Sequence, residues 1–532
     1  MLVFQKKKNL NFIQSVVAAM GLSQIVTACG SGEGSAASAG TNSNTPTTTD
    51  ASSTTTYTQE LEGTSAPDTL IGASNDATKV TAGDGDDLIM TFDGNDYLSG
   101  DAGDDNIWAN DGDDIIYGGA GNDIIDPGDG DDKIYAGAGD DTIKLSAGFD
   151  FEDGGEGNDT LKIGSSSLSI PFTVNLQTGR YFLTPQANSQ TANFSSIENV
   201  ESFASVDLTI FDNIGSNVIK LGSGDDTVTS LGGNDTISTG AGADTVTLGL
   251  GSYIVDLGGG DDTLHLGIQK SMIDGGSGTD ILSVDASIGV NMLYVDLDNE
   301  FYFTEEIGQS FDGQEISLKD FESVTVIGSV TSTIFGNSAA NIISSGSSDD
   351  TLSGNGGNDT LSGGEGDDTL DGGAGADTLI GGEGSDTFIF TSTSNGTDII
   401  TDFTVAEDIL KFIDDINLAL VGNKTESLVV GAAVDLKDGT DQIIATQNVI
   451  VLTDEVADNT GAGIQTVLAD IHSGANAAVG DGVIVIAAAA TGDAKVWYDA
   501  AVASADSVEI ASLTGIGLAD LANFTADNFV IA

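Results

Sequence analysis

Gly363-Gly364-Glu365-Gly366-Asp367-Asp368-Thr369-Leu370-Asp371 is the stretch whose reading decides the fold. Two Gly open it, a third stands fourth, an Asp sixth and an apolar residue eighth, which gives G-G-x-G-x-D-x-U-x. The phase holds on both sides. Asp350, Asp359, Asp377 and Asp386 keep the nine-residue step, and Leu352, Leu361, Leu379 and Phe388 follow them by two.

The same period governs two earlier blocks. From Ala82 to Lys162 the sixth position is Asp87, Asp96, Asp105, Asp114, Asp123, Asp132, Asp141, Asp150 and Asp159. Gly precedes each by two residues, and the apolar position runs through Ile89, Leu98, Ile107, Ile116, Ile125, Ile134, Ile143 and Leu161, with Glu152 as its one failure. The register is lost after Lys162 and returns near Gly222, with Asp226, Asp235, Asp244, Asp262 and Asp280, and with Tyr253 and Ser271 as substituted members. The apolar position there is unbroken from Ile219 through Val228, Ile237, Val246, Val255, Leu264 and Ile273 to Leu282. Three positions kept in phase over such lengths mark a repeat architecture.

The unit resembles the nonapeptide of the RTX (repeats-in-toxin) calcium-binding proteins, over roughly half the chain in three blocks. The resemblance implies an all-β fold, a parallel β-roll in which each nonad gives a six-residue turn and a short strand. It also implies several bound Ca²⁺ ions, with the nineteen sixth-position Asp named above as ligands. The physical chemistry agrees. Three-residue strands cannot stand alone, but stacked in parallel they bury a ladder of apolar side chains. Oxygen ligands without His or Cys select Ca²⁺ over transition metals, and Mg²⁺ is reluctant to shed its waters. On this reading Asp226 opens the second block as an end coil, so losing it should matter less than losing Asp123 in mid-block.

Charge points the same way. The 532 residues carry 83 acidic and 15 basic side chains, a formal net charge of −68. That excludes a nucleic-acid binder working through a basic groove, and docking on anionic lipid by charge. Residues 82–162 alone hold 21 Asp and 2 Glu against three Lys. Coils about 4.8 Å apart bring these groups into repulsion, which about seven calcium ions would largely cancel. A lone Cys excludes an intramolecular disulfide framework.

Outside the repeats, Lys6, Lys7 and Lys8 precede an apolar stretch too short and too interrupted to span a bilayer, and residues 1–29 read as a signal peptide. Its end, Val26-Thr27-Ala28-Cys29-Gly30, resembles a lipoprotein box, which implies an outer-membrane lipid anchor at Cys29. Residues 30–60 form a Ser/Thr-rich tether before the first block, 61–162. Segments 163–211 and 284–335 read as wider β coils interrupting the roll before and after the second block, 212–283. Their aromatics Tyr181, Phe182, Tyr294, Phe301, Tyr302 and Phe303 are expected to be coil core. After the third block, 336–390, residues 391–532 resemble the tail of proteins exported by the type I secretion machinery.

Catalytic patterns are missing. With His265 and His472 as the only histidines there is no H-E-x-x-H, and no G-x-S-x-G elbow or G-K-[ST] loop occurs. The expectation is a non-catalytic, extracellular or cell-surface protein, a stiff acidic rod with a structural or adhesive role, folding outside the cell on Ca²⁺. Self-assembly or a glycan or surface partner would suit it. The alternative is a carbohydrate-binding or lytic effector whose activity lies in the interrupting coils.

Overall fold

The computed structural model describes residues 26–27, 57–72, 76–164, 171–183, 192–266, 270–286, 290–306, 316–391 and 396–412, with shorter pieces at 449–452, 483–487, 493–499, 507–516, 520–521, 524 and 529–531. Cys29 and most of the tether lie outside them. No helix among the described residues is long and apolar enough to cross a membrane. The chain divides into two compact units, Met1–Leu257 and Gly258–Ala532.

Within the first block of repeats each coil takes two nonads, so its strands pair in parallel with those eighteen residues on. Leu88–Met90, Asn106–Trp108, Ile124–Asp126, Thr142–Lys144 and Thr160–Ile163 build one sheet; Thr78–Asp84, Tyr97–Ala102, Ile115–Ala120, Lys133–Ala138 and Phe151–Glu156 build the other. The residues between the strands form turns on two edges. Edge one leads into the first sheet and edge two into the second. Because side chains alternate along a strand, the eighth position points inward. Ile89, Ile107, Ile125, Ile143 and Leu161 make one inner column and Val80, Leu98, Ile116 and Ile134 the other, all fully buried.

Turn geometry explains the glycines. Gly103 has φ +138°, and a Cβ there would collide with the Gly85 carbonyl of the preceding coil. Only a residue without a side chain lets the backbones stack at this spacing.

Glu152 keeps the register although its chemistry does not fit. It is fully buried in the inner column between Ile134 and Phe194, and it accepts a hydrogen bond from the Tyr181 hydroxyl (3.0 Å). Burial first, then the Asp150 charge, pushes its carboxyl up to about 8. Tyr181 comes from the first interruption, so this polar contact ties the inserted segment to the repeat it follows.

That interruption is an antiparallel hairpin, Phe172–Asn175 with Arg180–Leu183, built into the second sheet. One hairpin strand pairs with Ala192–Ser195 and the other with Leu208–Phe211, while the first sheet passes directly from Thr160–Ile163 to Asn199–Ser202 to Val218–Lys220. The second unit repeats the device in one of its own sheets. There Val290–Asp296 and Phe301–Glu306 form the hairpin, while Ile281–Asp285, Ser323–Ile327 and Ile342–Ser344 stack without a break. The wider β coils are therefore hairpins added to one sheet of the stack.

The aromatics of these hairpins divide by strand alternation. Tyr181 and Tyr302 are core. Tyr294, Phe301 and Phe303 are not buried in the coil, contrary to the expectation above. They sit half-buried on the outer face and stack with interplanar angles of 8–13°. Residues 301 and 303 flank Tyr302, and a strand sends its neighbours to the opposite face. The side chain of Phe182 lies outside the described residues.

Candidate functional site

All nineteen sixth-position Asp are at most 2% exposed. The two-nonad coil sorts them. Asp87, Asp105, Asp123, Asp141 and Asp159 stand above one another on edge one, and Asp96, Asp114, Asp132 and Asp150 on edge two. Sequence neighbours such as Asp87 and Asp96 thus lie on opposite edges. Asp226 pairs in this way with Asp244, Asp262 with Asp280, Asp350 with Asp368 and Asp386, and Asp359 with Asp377.

One oxygen of each carboxylate has a fixed task. Asp105 N–H donates to Asp123 Oδ1 (2.8 Å), Asp123 N–H to Asp141 Oδ1 (2.7 Å) and Asp141 N–H to Asp159 Oδ1 (2.8 Å). The exposed fifth position runs a ladder the other way, with Asp104 N–H donating to Asp86 Oδ1 (3.0 Å) and Asn122 N–H to Asp104 Oδ1 (2.7 Å).

In eleven of the nineteen the second oxygen has none. Oδ2 of Asp87, Asp105, Asp114, Asp123, Asp132, Asp141, Asp159, Asp226, Asp280, Asp359 and Asp368 is buried without a hydrogen-bond donor. Native interiors rarely leave such groups, because each forfeits its hydration with nothing in return. Burial drives the carboxyls up from their usual range, with the charges of stacked neighbours adding to it. Asp114 reaches about 8, and Asp87, Asp123, Asp132 and Asp226 about 7. Hydrogen bonds from the stacked backbone N–H groups oppose the rise.

The space beside these oxygens fits a cation. A Cβ on Gly100 would collide with Asp105 Oδ2 and crowd the Gly118 carbonyl oxygen, and Gly118, Gly354 and Gly363 stand in the same relation to Asp123, Asp359 and Asp368. Glycine thus keeps open a cradle walled by a carboxylate oxygen and a carbonyl of the next coil, acceptors with no donor between them. No group of three or more His, Cys, Asp or Glu converges on one point among the described residues, so backbone carbonyls must supply most of the ligands. An all-oxygen, carbonyl-rich, partly anionic set suits Ca²⁺.

Two of the other eight show a hydroxyl partner directly. Asp150 Oδ2 is taken by the Ser146 hydroxyl (3.0 Å) and Asp235 Oδ2 by the Ser230 hydroxyl (2.9 Å). Four further residues occupy the sixth-position role that the nine-residue count did not reach. Asp159 N–H donates to Glu198 Oε2 (2.9 Å) and Asp280 N–H to Glu322 Oε2 (2.8 Å). Asp377 N–H donates to Asp398 Oδ1 (3.1 Å) and Asp386 N–H to Asp408 Oδ1 (3.0 Å). All four carry the same sequence signal, an apolar residue two positions on: Val200, Val324, Ile400 and Leu410. At the start of the first unit, Asp68 Oδ2 is satisfied by Thr64 N–H (2.6 Å) and the Thr64 hydroxyl (2.8 Å), which ends the run of open oxygens.

The stacking also revises the status of Asp226. Leu208 N–H donates to Asp226 Oδ1, and Asp226 N–H to Asp244 Oδ1 (2.7 Å each), so a coil lies on both sides of it. Asp226→Ala and Asp123→Ala are therefore expected to lower calcium affinity about equally, since each inner coil contributes to two interfaces. Calcium titrations of the two variants check this; a markedly milder Asp226→Ala would show that the interruption isolates the blocks.

The sequence profile of the RTX calcium-binding nonapeptide repeat matches at 73–107, 90–125, 126–161, 211–246, 221–255, 256–287, 331–361 and 353–388. No curated protein matches the chain. The matches fall on the turns that carry the open carboxylate oxygens and leave out both hairpins, so coils, cradles and profile agree that this chain carries RTX calcium-binding nonapeptide repeats in several copies along its length.

Proposed function

We propose that the chain is a non-catalytic surface or secreted scaffold that remains unfolded at the low calcium of a cytoplasm and folds on Ca²⁺ outside the cell. The observation that carries this is the ladder of buried carboxylate oxygens without donors. At a free concentration tenfold above Kd each site contributes about 1.4 kcal/mol to folding. A dozen such sites exceed the usual 5–15 kcal/mol stability of a domain. Export by the type I machinery and anchoring through Cys29 belong to the same proposal. Its structural or adhesive role rests on the absence of catalytic motifs and on residues whose polar chemistry is committed to the turns.

A second reading, carbohydrate binding by an interrupting coil, is favoured by one feature. Tyr294, Phe301, Phe303 and Phe335 form a continuous aromatic cluster on the outer face of the second hairpin, with centroids 4.7–6.4 Å apart. Calcium-loaded protein, tested on a glycan array and for assembly by light scattering, separates the two. Calcium-dependent assembly supports the scaffold. A saccharide signal lost in Phe303→Ala supports the second reading, and a chain that neither assembles nor binds a surface refutes both.

A further inference from the structure

The outer faces of the roll differ in charge. In the second unit, the sheet that stacks without a break presents one column of Ile281, Ser323, Ile342, Thr360, Thr378 and Ile399, in parallel register from strand to strand. Beside it runs a second column, Ser283, Thr325, Ser344, Ser362 and Ile380. Their chain neighbours Leu282, Val324, Ile343, Leu361, Leu379 and Ile400 fill the core, so alternation turns both columns outward. Neither column holds a charged residue, in a chain with a net charge of −68. The other sheet of the same unit carries Asp274, Lys319, Asp371 and Lys411 at its outward positions.

The uncharged face is ridged, and its ridges are apolar. Ile281, Ile342 and Ile399 are 37%, 57% and 44% exposed, while Ser323 lies buried between the first two. Ile327, on the strand of Thr325, is 53% exposed. A single exposed Ile is ordinary, but four on one uncharged face mark a contact surface.

Period, symmetry and charge together choose the occupant. The rungs repeat at the strand spacing, about 4.8 Å, and another parallel roll offers ridges of the same repeat along the whole face. The first column is also self-complementary. A two-fold axis along the strand direction, between Ile342 and Thr360, lays the column on its own reverse. Ile281 of one copy then faces Ile399 of the other, Ser323 faces Thr378, and Ile342 faces Thr360. A polyanion is repelled by the chain as a whole, and a polycation is drawn to the acidic turns. Two acidic rods can approach only where charge is absent, once calcium has neutralised the flanking turns.

We propose that this face docks a second copy of the chain, face to face and antiparallel, in the calcium-loaded state. The inference rests on the scaffold reading and supplies its contact surface. Six strands span about 24 Å. The contact is therefore of the weak class, below about 1,200 Å², and works at the high effective concentration of chains held side by side.

Sedimentation velocity over a concentration series, on the full chain in saturating calcium, compares wild type with Ile342→Glu, Ile399→Glu and Ile254→Glu. Ile254 is the control, 55% exposed but on a sheet of the first unit. Wild type and Ile254→Glu are expected to associate with the same dissociation constant. Ile342→Glu and Ile399→Glu are expected to weaken association by about tenfold or more, because each buried charge enters a two-fold contact twice. Their melting temperatures should match wild type, since the outer positions leave the core and the turns intact. A folded wild type that stays monomeric overturns the interface, as does an equal loss in Ile254→Glu. A monomeric wild type whose retention on an insoluble neutral polysaccharide is lost in Ile342→Glu also overturns it, and gives the face to a glycan. Association that survives both Ile342→Glu and Ile399→Glu sinks this face but leaves a scaffold that assembles elsewhere. A chain that does not fold on calcium at all would bring down the scaffold reading itself, so the failures are distinguishable.

Discussion

Chelating calcium at pH 7.5 is expected to abolish most of the far-UV β signal of the chain, and lowering the pH of the chelated protein is expected to restore much of it. The sign follows from the carboxyls. In the stacked state Asp114 is raised to about 8, Asp87, Asp123, Asp132 and Asp226 to about 7, and Asp105, Asp141 and Asp159 to about 6. A group whose folded pKa lies above its unfolded one takes up a proton on folding. Its contribution is fully present below the unfolded value near 4 and is lost as pH rises through the folded value. The metal-free roll is therefore most stable in mild acid and least stable above pH 8. Calcium reverses the slope, because it holds the charged form and competes with the proton. Binding should then release protons, and apparent affinity should fall between pH 8 and pH 6. Circular dichroism of chelated protein from pH 8 to pH 5, with calorimetric calcium titrations in buffers of different ionisation heat, reads both effects. A β signal that survives chelation at pH 7.5, or calcium binding without proton release, would contradict the open-oxygen account.

The repeat itself was fully legible in the sequence, because the eighth position writes the inner columns directly. Ile107 and Ile125 stack at eighteen residues, as two nonads per coil require. What the sequence obscured lies where the step changes. Glu198 and Glu322 stand 39 and 42 residues after the Asp they receive from, and Asp398 and Asp408 stand 21 and 22 after theirs. A count of nine passes over them, although the carboxylate-x-apolar cue is intact. The interruptions concealed continuity for a physical reason. A hairpin added to one sheet leaves the other stacking without a gap, so the register that seemed lost at Lys162 persists from Leu161 to Val200 to Ile219. Glu152 was conspicuous as a failure of the pattern, but its partner Tyr181 lies 29 residues on and only the fold brings them together.

Removing residues 480–532 is expected to destabilise the second unit severely, whatever it does to export. The tail is part of the stack. Ser507–Leu513 pairs in parallel with Asp398–Ile400, and Phe529–Ile531 with Ile409–Phe412. Ala494–Asp499 then covers Ser507–Leu513 in antiparallel fashion, and Val483–Ala487 covers Ala494–Asp499. Ile486, Val496, Ile510 and Leu513 are buried by this arrangement, and Phe524 stacks on Phe403 at 5.7 Å. Losing several large apolar side chains at roughly 1.5–3 kcal/mol each removes on the order of 10 kcal/mol. It also bares Ile400, Leu410 and Phe412 on open strand edges, which repeat proteins need a cap to prevent and which template aggregation. The expected result in saturating calcium is a melting temperature lower by tens of degrees, or aggregation seen on size exclusion. A truncated chain that melts with the full one would show that the tail caps nothing. This bears on how the two ends of the chain are assigned. A truncated protein missing from the medium does not by itself identify an export signal, because a chain that cannot complete its roll is also degraded. The assignment needs a truncated chain whose calcium-loaded fold has been measured first, set beside Cys29→Ser, which leaves the stacked coils untouched. If Cys29→Ser remains in the membrane fraction as wild type does, the lipid anchor is wrong, and the tail is left as the determinant of where the protein resides.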